Sequence, residues 1–334
     1  MLNQLRSLAS YQEMLAALDR GEHIPSLGLL RSARMPLIAA LHQDLRVPIL
    51  LIADRMDRAL VVMDELGYWS PGSQRIFFAE PTPLFYEPAA WGNTTRRDRL
   101  HALTMLASYQ IPGASLPVQP PIIITTVRGL MTRTLPRRDF IKTSKLVRIK
   151  QIISPETLLR ILVDTGYSAS DVVVEPGQFS RRGGLLDIWA PAESHPARVE
   201  FFGDEVDTLR LFDPSSQRKI SNTEKLLITP AREVLPGKAA EAGITPADLN
   251  EFYIPLVHRS PASLLDYLPQ KAYILLGELD MLEAVANEIE EQALRMRSEN
   301  VESGVLPDDF PAPYLSWSEL NDSLESHIWL GLGY

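Results

Sequence analysis

The chain has 334 residues, 45% of them hydrophobic, with 33 basic against 42 acidic side chains, a formal net charge of -9 and no cysteine. That length exceeds one compact core and requires two or three domains. The missing thiols exclude disulfides, thiolate metal sites and a cysteine nucleophile and agree with a reducing cytoplasm; the acidic balance excludes the overall electrostatic footprint of a free-standing DNA binder; no apolar run approaches membrane-spanning length. From the amino end, Leu5, Leu8, Leu15 and Leu18 recur at helical spacing and Gly21 stops the pattern, which predicts one capping helix. Val47–Ala53 (VPILLIA), Ile76–Phe78 and Ile122–Thr126 are unbroken apolar runs. They alternate with helical patterns at Met56–Leu66 and from Gly129 onward, the signature of a parallel α/β sheet. Between Phe78 and Arg96 lies a proline-broken loop carrying Tyr86 and Trp91. Arg128 to Lys150 is basic and marks a crossing into a second domain. There Ser154 and Pro155 predict an N-cap and first helical position for a helix with Leu158, Leu159, Ile161 and Leu162 on its apolar face, ending near Gly166. After residue 229 a short helix (Ala262–Leu268), a buried strand (Ala272–Leu276), a charged helix (Leu279–Arg297) and a proline-interrupted segment with a helix at Trp317–Leu324 follow. The histidines at 23, 42, 101, 195, 258 and 327 lack metal-ligand spacing and read as surface or capping residues.

Two stretches carry chemistry. Gly28-Leu29-Leu30-Arg31-Ser32-Ala33-Arg34-Met35 precedes an apolar helical run and lies on the phosphate-loop template G-x-x-x-x-G-K-[ST], with Ala33 in place of the second glycine, Arg34 in place of the lysine and Met35 in place of the metal-binding hydroxyl. An active ATPase of this kind ends a later strand with Asp-Glu; here Ala272–Leu276 runs into Gly277-Glu278, so the aspartate is missing. Two nucleotide elements fail together, which predicts a decayed site.

The second stretch, Glu175–Arg218, contains Leu185–Trp189, Ala197–Phe202 and Val206–Phe212, short β-rich runs bounded by Gly-Gly, Pro, Gly-Asp and Asp-Pro. This predicts an antiparallel meander. Arg198, Glu200 and Phe202 alternate with Val199 and Phe201, and Arg182 leaves an Arg-Arg-Gly-Gly turn, so the sheet is expected to present Arg182, Arg198 and Phe202 outward.

The string GQFSRRGGLLDIW (Gly177–Trp189) followed by RVEFFGDEVDTLRLFDPSSQR (Arg198–Arg218) closely resembles the interaction domain shared by the bacterial excinuclease component UvrB and the transcription-repair coupling factor (Mfd) family. The short, proline-broken loop after Phe78 leaves no room for UvrB's long aromatic hairpin and favours the amino-terminal UvrB-homology module of the Mfd family. The resemblance implies a degenerate helicase-like, P-loop NTPase-like parallel-sheet domain built from residues 1–143 and 229–334, with an inserted α+β interaction domain at 144–228. It implies UvrA as partner, bound through the positions matching Arg182, Arg198 and Phe202. A non-enzymatic recruiting module of nucleotide excision repair is expected, with no catalytic residue, metal or cofactor of its own. As a fragment of a longer cytoplasmic translocase, it would leave ATP and magnesium to the parent's motor, have its binding face covered by the parent's carboxy-terminal domain, and reach RNA polymerase and DNA through other domains. Two alternatives stand beside this: a residual ATPase using Gly28–Met35 with Glu278, and a DNA-binding module using Arg128–Lys150 with Tyr86 and Trp91.

Overall fold

The structure, a computed structural model, describes residues 2–24 and 26–333; Met1, Pro25 and Tyr334 lie outside the described residues. Its strands in chain order are β1 (Ile49–Ala53), β2 (Arg75–Phe78), β3 (Ile122–Thr126), β4 (Lys145–Arg148), β5 (Ser168–Ala169), β6 (Gln178–Arg182) and β7 (Leu185–Ile188). Then come β8 (Ala197–Phe202), β9 (Glu205–Phe212), β10 (Lys219–Asn222), β11 (Lys225–Ile228), β12 (Tyr273–Leu276) and β13 (Ile328–Gly331). The chain divides into two compact units, one of residues 1–88, 116–133 and 263–334, the other of residues 89–115 and 134–262.

The first unit is built on a parallel sheet of order β13-β12-β1-β3-β2. β1 and β3, in register from Ile49 opposite Ile122, are buried along their whole length, which is why their sequences are apolar runs rather than alternations. Ile38 and Leu41 of the helix Arg31–Leu45 and Leu66 of the helix Met56–Trp69 complete the core with Leu51, Ile124 and Leu330. β13, a four-residue edge strand, was not among the expected elements; it pairs in parallel with β12 from Tyr273 opposite Ile328. The amino end also departs from expectation. The single predicted helix is two, Leu2–Arg6 and Ala9–Asp19, because Leu8 is extended and the Ser7 hydroxyl donates back to the Gln4 carbonyl at 2.7 Å.

The second unit carries a sheet of order β10-β9-β8-β7-β6-β5, antiparallel except between β5 and β6, and a separate β4–β11 pair. The helix Pro155–Asp164 starts as its sequence dictates, with the Ser154 hydroxyl accepting from the Thr157 N–H at 3.2 Å and Pro155 in the first turn. Its Leu158 and Leu162 bury against Phe179, Leu186, Val199 and Leu209. Residues 89–115, assigned from sequence to the helicase-like segment 1–143, belong to this unit instead. Arg99 on the helix Asn93–Ala107 is fully buried and bidentate to Glu233, at 2.6 and 3.0 Å, with its guanidinium 4.7 Å from the Trp91 ring centroid. A buried charge needs its partner in the same core, and this pair ties the helix to the stretch after β11.

Candidate partner-binding face and nucleotide-like site

Cross-strand register places two rows of side chains on one face of the antiparallel sheet: Arg182, Leu185, Glu200 and Thr208, and beside them Ser180, Asp187, Arg198 and Arg210. The intervening row, Leu186, Val199 and Leu209, faces the core. At the far end of β8 the pairing shifts, from Glu200 opposite Thr208 to Phe201 opposite Val206, so Asp207 is the extra residue of a β-bulge. Phe201 stays against the core while Phe202 projects, 82% exposed, into the turn at Gly203, whose φ of 61° is the left-handed conformation a glycine adopts without penalty. Lys150 braces this hairpin through Glu205 at 2.8 Å and Asp207 at 3.2 Å.

The expected site residues differ in how they are held. Arg182 is exposed and donates from Nη2 to the Asp171 carbonyl at 2.6 Å. Arg198 lies on the expected face but is not a free outward cation. Its Nε and Nη2 each donate to an Asp187 carboxylate oxygen at 2.6 Å, its guanidinium sits 4.7 Å from the Phe212 ring centroid, and its side chain is 17% exposed. The hydrogen bond to Asp187 raises its proton affinity further. Sequence reasoning missed Asp187 as this partner; the hairpin register, which sets residue 187 opposite residue 198, is the signal that finds it. Arg210 is likewise paired, with Glu200.

In the first unit, Gly28 has a φ of 57° and the helix Arg31–Leu45 begins without a side-chain cap, so Ala33, Arg34 and Met35 fall in its opening turns. Arg34 Nη2 lies 2.9 Å from Glu278 Oε1, and Gly277 follows β12 immediately. Arg34, Met35, Gly277 and Glu278, far apart in sequence, line one cavity of about 460 Å³ at the carboxyl ends of β1 and β12, whereas Gly28 and Ala33 are not among its lining residues. The positions of the phosphate-loop template carry side chains other than those the template calls for. Met35 has only a thioether where the metal would need a hydroxyl, and a phosphate would have to displace Glu278 from Arg34. Among the described residues no cluster of His, Cys, Asp and Glu has the makings of a metal site.

The aromatic residues considered for base stacking are buried. Tyr86 is 4% exposed and packs edge-on against Phe310 and Tyr314; Trp91 is 8% exposed beneath Arg99. The basic stretch is divided between the units, Arg128 and Arg133 belonging to the first and the rest to the second. Arg128 is turned inward, donating to the Pro83 carbonyl. Two histidines expected in surface or capping roles are core residues: His42 Nε2 bonds the Pro120 carbonyl at 2.6 Å, and His258 Nε2 the Glu233 carbonyl at 2.9 Å.

The sheet with its capping helix and the β4–β11 pair spans the segment that matches a known family, the UvrB interaction domain, over residues 146–234. Residues 146–234 are similar to a UvrB interaction domain. Around that domain the similarity extends over most of the chain. It is 26% identical over 322 residues to the transcription-repair-coupling factor of Bacillus subtilis, covering 84% of this chain and 26% of that protein. To the transcription-repair-coupling factor of Myxococcus xanthus it is 30% identical over 231 residues, 67% of this chain and 19% of that protein. The UvrABC system protein B of Gloeothece citriformis is 24% identical over 241 residues, 69% of this chain and 35% of that protein. The chain therefore spans 26% or less of these two coupling factors. No helix among the described residues is long and apolar enough to cross a membrane.

Proposed function

We propose that this chain is a UvrA-recruiting module of a transcription-repair coupling factor, acting in transcription-coupled nucleotide excision repair. The observation that carries the proposal is Phe202, a large aromatic side chain held 82% exposed at a braced hairpin tip of the segment matching the UvrB interaction domain. Exposed aromatic and arginine side chains are what binding hot spots are made of, and a rigid hairpin presents them at little entropic cost. Phe202 is the apolar anchor and Arg182, two strands away on the same sheet, an exposed cation. Arg198 acts from one layer below, where the Asp187 pair fixes the face; it positions the surface more than it reaches from it. The partner is UvrA, and the face is covered in the resting parent by its carboxy-terminal domain. RNA polymerase and DNA are engaged by parts of the parent outside this chain, in the cytoplasm.

In the same reading the first unit is a helicase-like domain whose nucleotide site has decayed. The Arg34–Glu278 pair supports this: the cation that replaces the phosphate-loop lysine is neutralised by the surviving acid of the second motif. The chain then needs no cofactor and catalyses nothing by itself, ATP and magnesium serving the motor of the parent. Calorimetric titration of the chain with purified UvrA should give saturable binding of micromolar or tighter affinity, and titration with magnesium-ATP should give none. ATP binding without UvrA binding would replace this reading by the residual ATPase.

A further inference from the structure

We propose, resting on the reading that UvrA is the partner, that Ile152 is a second apolar anchor of the partner-binding face. The surface offered to UvrA then extends from Phe202 across β9 to the segment 150–153, on the side of Phe202 away from Arg182.

Cross-strand pairing puts the two side chains in one row. Phe202 lies opposite Glu205 across the hairpin, and Glu205 in turn lies opposite Ile152 in an isolated antiparallel bridge. Directly opposed residues share a face of a sheet, so Phe202, Glu205 and Ile152 point the same way. Their chain neighbours Phe201, Val206 and Ile153 turn to the core. Ile152 is 70% exposed and, like Phe202, lies outside that core. The acids beside it, Glu205 and Asp207, are both engaged by Lys150, so the two apolar groups are not separated by a free charge of that pair.

A solitary exposed aliphatic side chain is ordinary; the backbone beneath this one sets it apart. Segment 150–153 lies along β9 as an added strand would. The Lys150 N–H donates to the Val206 carbonyl at 2.8 Å, the Val206 N–H to the Gln151 carbonyl at 2.9 Å and the Ile153 N–H to the Asp204 carbonyl at 2.8 Å. The chain reaches this edge through a turn closed by the Gln151 N–H on the Arg148 carbonyl at 3.2 Å, and the third residue of that turn, Lys150, has a φ of 66°. A glycine would adopt that conformation without strain but could not hold Glu205 and Asp207. One strained lysine thus fixes the turn, the hairpin tip and Ile152 as a unit, and a side chain presented from fixed backbone loses little freedom on binding.

The placement also centres the face. Arg182 on β6 and Ile152 each lie two strand spacings from β8, about 10 Å to either side of it. Phe202 is then flanked on both sides, as the dominant residue of an interface is when surrounding contacts shield it from water.

The test measures the affinity of purified UvrA for the full chain and for I152A, I152T, F202A and V163A, with the unfolding curve of each. I152T keeps a β-branched side chain and so separates the loss of apolar contact from the loss of strand preference. Val163, 53% exposed on the helix Pro155–Asp164, whose Leu158 and Leu162 pack on the opposite face of the sheet, is the control. I152A and I152T should each weaken binding about five- to tenfold with unfolding curves close to wild type, and V163A should leave it unchanged. Wild-type affinity in I152T while F202A is weakened, or an equal loss in V163A, overturns the assignment of Ile152 and leaves the UvrA reading standing. No binding by the wild-type chain overturns that reading and this assignment with it.

Discussion

Phe202 and Arg99 illustrate opposite uses of a large side chain. Phe202 touches little in its own chain, so F202A should change stability by no more than about 0.5 kcal/mol, measurable by denaturant unfolding. Arg99 and Glu233 are both buried, and R99A leaves a carboxylate uncompensated in the core; a loss of about 3–5 kcal/mol is expected, with R99M/E233M recovering a large part of it. His258 sets a pH dependence. It is buried and neutral, with its Nε2 proton on the Glu233 carbonyl, and burial lowers its proton affinity, with Lys238 opposing protonation and Asp139 and Glu233 favouring it. The unfolded chain therefore binds the proton more readily. Stability should be fully present above about pH 6.5 and fall as pH drops through that value, and H258Q should flatten this part of the curve unless His101, shifted the same way, dominates it.

At the scale of elements, helix and strand signals written in local chemistry were legible. Ser154-Pro155 marks a helix start that the structure places at that residue, and S154A should lower stability by about 1 kcal/mol through the lost cap. β1 and β3 announce themselves as unbroken apolar runs, and β8 by its alternation, which also told Val199 from Phe202. What could not be read was set by distant contacts. β13 has four residues and no pattern of its own; it is a strand because β12 offers it an edge. Tyr86 and Trp91, flanked by prolines, look like an exposed loop in sequence, and only the folded chain supplies the rings and the guanidinium that bury them. The Arg198–Asp187 pair is intermediate: both residues were in view, and the missing information was the hairpin register.

At the scale of the whole molecule, the chain is two compact units with different chemistry. One is a parallel sheet whose carboxyl edge holds Arg34 against Glu278; the other is an antiparallel sheet whose outer face is charged and whose hairpin tip is aromatic. Sequence motifs pointed to both, with the inserted segment expected at 144–228; the second compact unit takes residues 134–262 and recruits an earlier piece of chain, the helix Asn93–Ala107, through the Arg99–Glu233 pair. In the function proposed, the exposed anchor of this unit binds UvrA. The most direct measurement is the affinity of purified UvrA for the wild-type chain and for F202A, with the unfolding curve of each recorded alongside. F202A should lose about 2 kcal/mol of binding, roughly 30-fold in dissociation constant, with the unfolding curves superimposed. Equal affinity for the two chains, or no binding by the wild type, would contradict it.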